Sequence, residues 1–334
     1  WPILWVFEPL TSTILLGTVS EDAQAETWGA SLLVSEDTGV HIKGLVEDMA
    51  RMYAKSQELA EMEVPAQKDV WHVESWGSKL RRTLEKQALA ALRKVEQLEK
   101  QLLKAWDDVV FLEQYISADE QAERLIAHHD TFALWLGHLC DALELVDLRS
   151  GEIRDREING WLLDETLQAL EAIDYPQVQT FVRSLRRHQE QLLTFLDWAA
   201  EMLQPYAAML AAHLPDPTQR TDFVRAVARC WRLRQALING QRSRKEQADE
   251  AEAWLQLWLA DNAALSALAT YLMNILNASG HASSLIECIN GLLKMYLNNR
   301  RAFRNQDTAQ AYLNLFILWH NMRVYERGKR AGKS

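Results

Sequence analysis

The chain has 334 residues, 48% of them hydrophobic, which excludes a disordered protein and leaves room for two or more compact units. Its formal charge of -10 excludes a generic nucleic-acid coat, although net charge says nothing about distribution. Cys140, Cys230 and Cys288 are scattered without a CxxC pair, which excludes a disulfide framework or a thiolate zinc site and fits a reducing cytosol.

In chain order, "ILWVFEPLTSTILLGTVS" is two β-branched and aromatic runs around a Pro/Ser/Thr turn and predicts a hairpin over residues 3–19. Residues 23–33 have helical character. "GVHIKGLVED" reads as a buried strand stopping at Asp48, 49–59 as a short helix and "KDVWHV" at 68–73 as a further short strand. This order belongs to a mixed α/β sheet with at least one crossover between parallel strands. The pattern then turns helical. Trp76, Leu80, Leu84, Ala88, Leu92, Val95 and Leu102 draw one apolar stripe along a long helix, and further helices are expected near 106–147, 160–174, 176–213, 218–239 and 246–276. Prolines 176, 205, 215 and 217 and glycines 151, 160, 240 and 280 punctuate them. Helix resumes at Ser284, with Leu285, Ile289, Leu292 and Tyr296 on one face and Glu287, Asn290 and Lys294 on another, and a last helix is expected over 308–327. No apolar run approaches the roughly 20 residues that span a bilayer, and nothing resembles a signal peptide. The opening at Trp1, without an initiator Met, reads as a piece of a longer protein.

Two carboxylates invite a chemical reading beside a structural one. Asp48, between a strand and a helix, suits a helix N-cap. Ser284 and Glu287 have the spacing of a capping box. Equally, one carboxylate at a strand end and one on a distant helix supply the hard oxygen ligands that Mg²⁺ prefers. Two such ions roughly 4 Å apart activate water and stabilise a leaving oxygen in phosphodiester cleavage. Spacing does not choose between these roles.

The runs "PILWVFEPLTSTILL", "AETWGASLL", "GLVEDMA", "KDVWHV" and "GHASSLIECINGLLKMYLNNRRAF…LNLFILWHNMRVYERGKRAG" together resemble the catalytic region of bacterial insertion-sequence transposases of the DDE class. The similarity covers about residues 1–90 and 280–334; between them the chain matches only in being helical. The resemblance implies an RNase H-like α/β core, its first strand missing, interrupted by a large all-α insertion so that the whole is mostly helical. Residues 1–74 would begin the core, 75–279 form the insertion, and 280–334 complete the core with the final Glu and a basic tail. Asp48 takes the place of the second catalytic carboxylate and Glu287 that of the third, both as ligands of Mg²⁺ or Mn²⁺, in a site for two ions. The first Asp would lie upstream of Trp1, with Glu8 as a lesser candidate substitute and a turn residue otherwise, and without it this fragment alone would be inactive. Asp69 and His72 would have a structural role or support the ligands from behind. His128, His129 and His138 lack an HExxH arrangement and read as ordinary helix residues.

From residue 281 to 334 there are nine basic residues against three acids, a basic patch on an acidic protein. Lys294, Arg300, Arg301 and Arg304 would neutralise phosphates of double-stranded DNA without reading its sequence, or form a solvated helix end. "RSLRRH" at 183–188 and the Arg/Lys-rich stretch 225–245 are further candidates. Trp231, Trp254 and Trp258 would stack on an extruded base or, as helix-spaced tryptophans usually do, belong to a core. The implied activity is metal-dependent DNA cleavage and strand transfer at transposon ends, by a homo-oligomer in the bacterial cytoplasm, associated with the nucleoid and not with membrane. The alternatives are a remnant that binds DNA without cutting it and a non-catalytic helical scaffold.

Overall fold

The computed structural model describes residues 1–8, 11, 13–104, 108–260, 262–279, 284–297 and 303–324, the side chains of 51, 54 and 284–288 excepted. In chain order the elements are β1 (Ile3–Glu8), β2 (Thr13–Val19), α1 (Ala25–Asp37), β3 (Leu45–Glu47), α2 (Arg51–Leu59), β4 (Ala66–Lys68), α3 (Val70–Leu102), α4 (Val109–Ala142) and α5 (Arg156–Glu171). There follow α6 (Pro176–Arg187), α7 (Gln189–Leu192), α8 (Thr194–His213), α9 (Pro217–Ile238), α10 (Lys245–Leu259), α11 (Ala263–Ala278), α12 (Ser284–Leu297) and α13 (Gln306–Met322). The protein is mostly helical, with small sheets. Among the described residues no helix is long and apolar enough to cross a membrane.

Contacts divide the chain into two compact units. One comprises residues 1–71, 198–221 and 256–334, and the other residues 72–197 and 222–255. In the first unit the expected element order holds through β4, but the described strands form two separate two-stranded sheets rather than one mixed sheet. β1 and β2 are antiparallel, with Ile3 opposite Val19 and Glu8 opposite Thr13. β3 and β4 are parallel across the α2 crossover, with Leu45 beside Ala66 and Glu47 beside Lys68. α1 packs against the hairpin and against α2.

Two strand expectations are corrected. The buried strand expected in "GVHIKGLVED" shrinks to Leu45–Glu47. Gly44, just before it, packs so closely on the Trp198 indole that a Cβ there would lie 2.6 Å from the ring. The strand expected at 68–73 ends at Lys68, and Val70 already opens α3. Asp69 is the cause: its Oδ1 accepts the Trp71 N–H at 2.9 Å and starts the helix.

The hairpin draws its core from the far end of the sequence. Trp5, Ile14 and Val19 pack with Ile289 and Leu293 of α12 and with Ala309, Leu313 and Phe316 of α13. Trp5 Nε1 donates to Asn290 Oδ1 at 2.9 Å. Side-chain amides of α13 satisfy backbone groups of β2. Gln310 Oε1 accepts from Val19 N at 2.7 Å and Gln310 Nε2 donates to Gly17 O at 2.9 Å. Asn321 makes the same two-way bond with Ile14, accepting at 3.0 Å and donating at 2.9 Å, and Gln306 donates to Val19 O at 2.7 Å. A helix thus stands where an edge strand would otherwise expose its donors and acceptors.

The second unit packs helices around Phe132, Phe181, Leu139, Leu163 and Leu167, all fully buried. Between α4 and α5 the chain turns through Val146, which bridges Ile153. Burial alone would raise the Asp147 pKa, but the Ser150 N–H and hydroxyl and Arg154 outweigh it and bring the carboxylate down to about 2. Gly151 closes this turn at φ 74°, and a Cβ there would meet Arg225 O at 2.4 Å and Arg229 Cβ at 2.7 Å. Gly151→Ala therefore combines left-handed strain with a clash against backbone. A loss of about 2–4 kcal/mol is expected in urea unfolding, whereas Gly240→Ala, at φ 87° with open space around it, should cost only about 1–2 kcal/mol.

Candidate functional site

The parallel pair ends with Glu47 of β3 beside Lys68 of β4, and each strand is followed at once by an acid, Asp48 and Asp69. Asp69 N donates to Glu47 O at 2.8 Å, which carries the ladder one residue past the strands. In open α/β sheets this carboxyl end is where ligands bind.

Each acid has a different local fate. Glu47 is buried and pairs with Lys68, Nζ to Oε1 at 2.6 Å, while Gln57 Nε2 of α2 approaches its other oxygen at 3.4 Å. Asp69 is fully buried and caps α3. Asp48 is half-buried; its Oδ1 accepts the Ala50 N–H at 2.7 Å, and Oδ2 accepts no hydrogen bond from a described residue. The N-cap expected of Asp48 does not form, since Ala50 is the N-cap of α2 and no side chain caps it; Asp48 instead closes a turn just ahead of the helix, which leaves one carboxylate oxygen over. Tyr53 of α2 sits edge-on to Trp28, ring centroids 5.1 Å apart. Burial, then the charges of Asp48 and Glu47, push its phenol up to about 12.

The remaining expected site residues divide between the described and the undescribed parts. Glu287 lies on α12, but its side chain is outside the described residues, as are Ser284's side chain and Arg300 and Arg301. The backbone of α12 belongs to the same unit as Asp48. Lys294 and Arg304 are exposed. His72 falls in the first turn of α3, where the second unit begins. Glu8 accepts from the Thr11 N–H at 2.6 Å and from the Thr11 hydroxyl, as a turn residue does. The metal expected here needs hard oxygen donors. Asp48 fits that requirement and Glu47, committed to Lys68, does not; among the described residues no group of three His, Cys, Asp or Glu is placed to hold a metal ion.

Elsewhere, much of the basic character of the helical stretch is internally matched. Arg186 pairs with Asp164 and Glu171, Arg225 with Glu152, Arg232 with Glu144 at 2.5 Å, and Arg234 with Glu252. The reading of the three tryptophans as core fails at Trp254, which is 59% exposed and walls a shallow cavity with Arg229 and Glu250. Cys140 and Cys230 carry thiols pushed up to about 12, chiefly by burial, and are poor nucleophiles.

Sequence reasoning missed Glu47, Lys68 and Tyr53. The available signal was a charged dipeptide at each strand end, "ED" and "KD", which parallel register sets side by side. Compared with known proteins, the chain matches no family model, no curated protein and no solved structure.

Two measurements check the geometry. Lys68→Met strands Glu47 in the interior and should cost about 3–5 kcal/mol in denaturant unfolding, whereas Glu47→Leu with Lys68→Met should restore stability to near the starting value. Tyr53, raised from 10.0 to about 12 in the folded state, contributes stability that is whole below about pH 10 and lost as pH climbs to about 12. Tyrosinate absorbance at 295 nm should show this late phase and Tyr53→Phe should delete it.

Proposed function

We infer that the protein is a DDE-type transposase catalytic region with an RNase H-like core, acting on double-stranded DNA as a homo-oligomer. The observation that carries this reading is the return of the C-terminal helices to the N-terminal strands. α12, on which Glu287 lies, shares a compact unit with the strand end that bears Asp48, and Asn290, three residues on, bonds to Trp5 of β1. The sheet pairing supports it too. α13 closes the outer edge of β2, so a strand joining the antiparallel and parallel pairs into one mixed sheet would add beside β1, on the edge that pairs with no described strand. The resemblance expects one further strand, bearing an Asp, upstream of Trp1.

In this reading Asp48 and Glu287 hold Mg²⁺ or Mn²⁺, which when bound supplies water activation and stabilisation of the leaving oxygen. The chain's own work is placement. The Asp48 turn leaves one carboxylate oxygen with no hydrogen bond from a described residue, the buried Glu47–Lys68 pair lies beside it, and the neutral Tyr53 phenol adds no negative charge. Lys294, Arg300, Arg301 and Arg304 supply sequence-independent phosphate contacts. A second reading, a non-catalytic helical scaffold that binds proteins, draws on Leu315, Leu318 and Met322 of α13, which are exposed.

The test is strand cleavage of transposon-end DNA by the full-length protein. Cleavage should require Mg²⁺ or Mn²⁺, and Asp48→Asn or Glu287→Gln should each reduce it by more than about 100-fold, the upper range for groups that only support ligands, with DNA binding retained. Cleavage at the unaltered rate in either variant overturns the assignment.

A further inference from the structure

We propose that Lys68 is a positioning residue for Asp48, an inference that rests on the reading of Asp48 as a metal ligand. The Lys68 side chain is 1% exposed, deeper than a lysine goes without a purpose. Its ammonium donates in two directions, to Glu47 Oε1 at 2.6 Å and to the backbone carbonyl of Asp48 at 3.2 Å. The strand that delivers it is held by its parallel pairing with β3, Glu47 beside Lys68.

A buried ion pair is a weak source of net stability, because desolvation offsets the attraction and apolar residues of similar size serve as well. What an apolar pair cannot do is hold a carbonyl. With Lys68 on its carbonyl oxygen and the Ala50 N–H on its Oδ1, Asp48 is pinned at both ends. The first bond fixes the peptide plane that leaves the strand, and the second fixes the carboxylate relative to that plane. Oδ2 is then left in one direction. Glu47 completes the device by holding the ammonium that reaches its neighbour's carbonyl, so that two adjacent acids in "ED" have opposite tasks, one inward and one outward. A ligand aimed in advance loses less freedom when an ion binds.

The experiment is Mn²⁺ titration of the full-length protein, following free Mn²⁺ by electron paramagnetic resonance beside a thermal melt of each sample. Glu47→Leu with Lys68→Met removes the grip on the Asp48 carbonyl without orphaning a charge. It should weaken Mn²⁺ binding about 10–100-fold while the melting midpoint stays close to that of the unaltered protein. Glu47→Gln with Lys68→Gln, neutral and one bond too short to reach the carbonyl, keeps the test open if the first pair does not fold, and should weaken binding to the same degree. Unaltered Mn²⁺ affinity in a folded double variant overturns the role of Lys68 alone. Mn²⁺ binding that is absent from the unaltered protein, or insensitive to Asp48→Asn, overturns the reading of Asp48 as a ligand and the role of Lys68 with it.

Discussion

An isolated two-stranded hairpin is marginal in water, and β1–β2 has no further strand beside it among the described residues. Everything in the first unit depends on how that deficiency is met. The solution is helical: α12 and α13 cover one face of the hairpin with Ile289, Leu293, Leu313 and Phe316, and Gln306, Gln310 and Asn321 answer the backbone of β2. The covering helices come from the far end of the chain, and the stretch between leaves this unit at residue 72, returns at 198–221 and comes back for good at 256. Loop-closure entropy grows only logarithmically with length. A closed hairpin core therefore tolerates a very large excursion between its parts.

The same unit concentrates its charge at one place. β3 and β4 are only three residues long, yet each runs directly into an acid, and parallel register lays the two endings side by side. Burial sorts these groups: Glu47, Lys68 and Asp69 are inside and bonded, while Asp48 stays half open to solvent. A strand end thereby carries one half-exposed carboxylate beside polar groups that are buried and bonded.

The sequence made some of this legible. The hairpin, the α2 crossover and the long α3 stripe were written in local periodicity, and Pro176 and Pro217 mark helix starts where a missing N–H costs nothing. Strand ends were not legible. Val70, Trp71 and Val73 have β character, and only the cap formed by Asp69 decides that they are helix. The helix expected over 176–213 runs through Pro205 as α8 but is divided earlier, into α6, α7 and α8. Of the site, Asp48 could be singled out as an acid between a strand and a helix, although its spacing suited a helix cap as well as a ligand and only the resemblance favoured the second. Lys68 could not, because nothing local distinguishes a buried lysine from a solvated one; only the pairing of β3 with β4 brings Glu47 to it.

The amides on α13 also set a timetable. Ribosomes add roughly 5–20 residues per second, so residues 3–19 wait on the order of tens of seconds before Asn321 leaves the exit tunnel. During that interval Trp5, Ile14 and Val19 have no lid, and the backbone of β2 is open to any passing strand. Residues 3–19 thus leave the ribosome well before the helices that cover them. A cell making this protein has reason to keep a holding chaperone at the tunnel mouth.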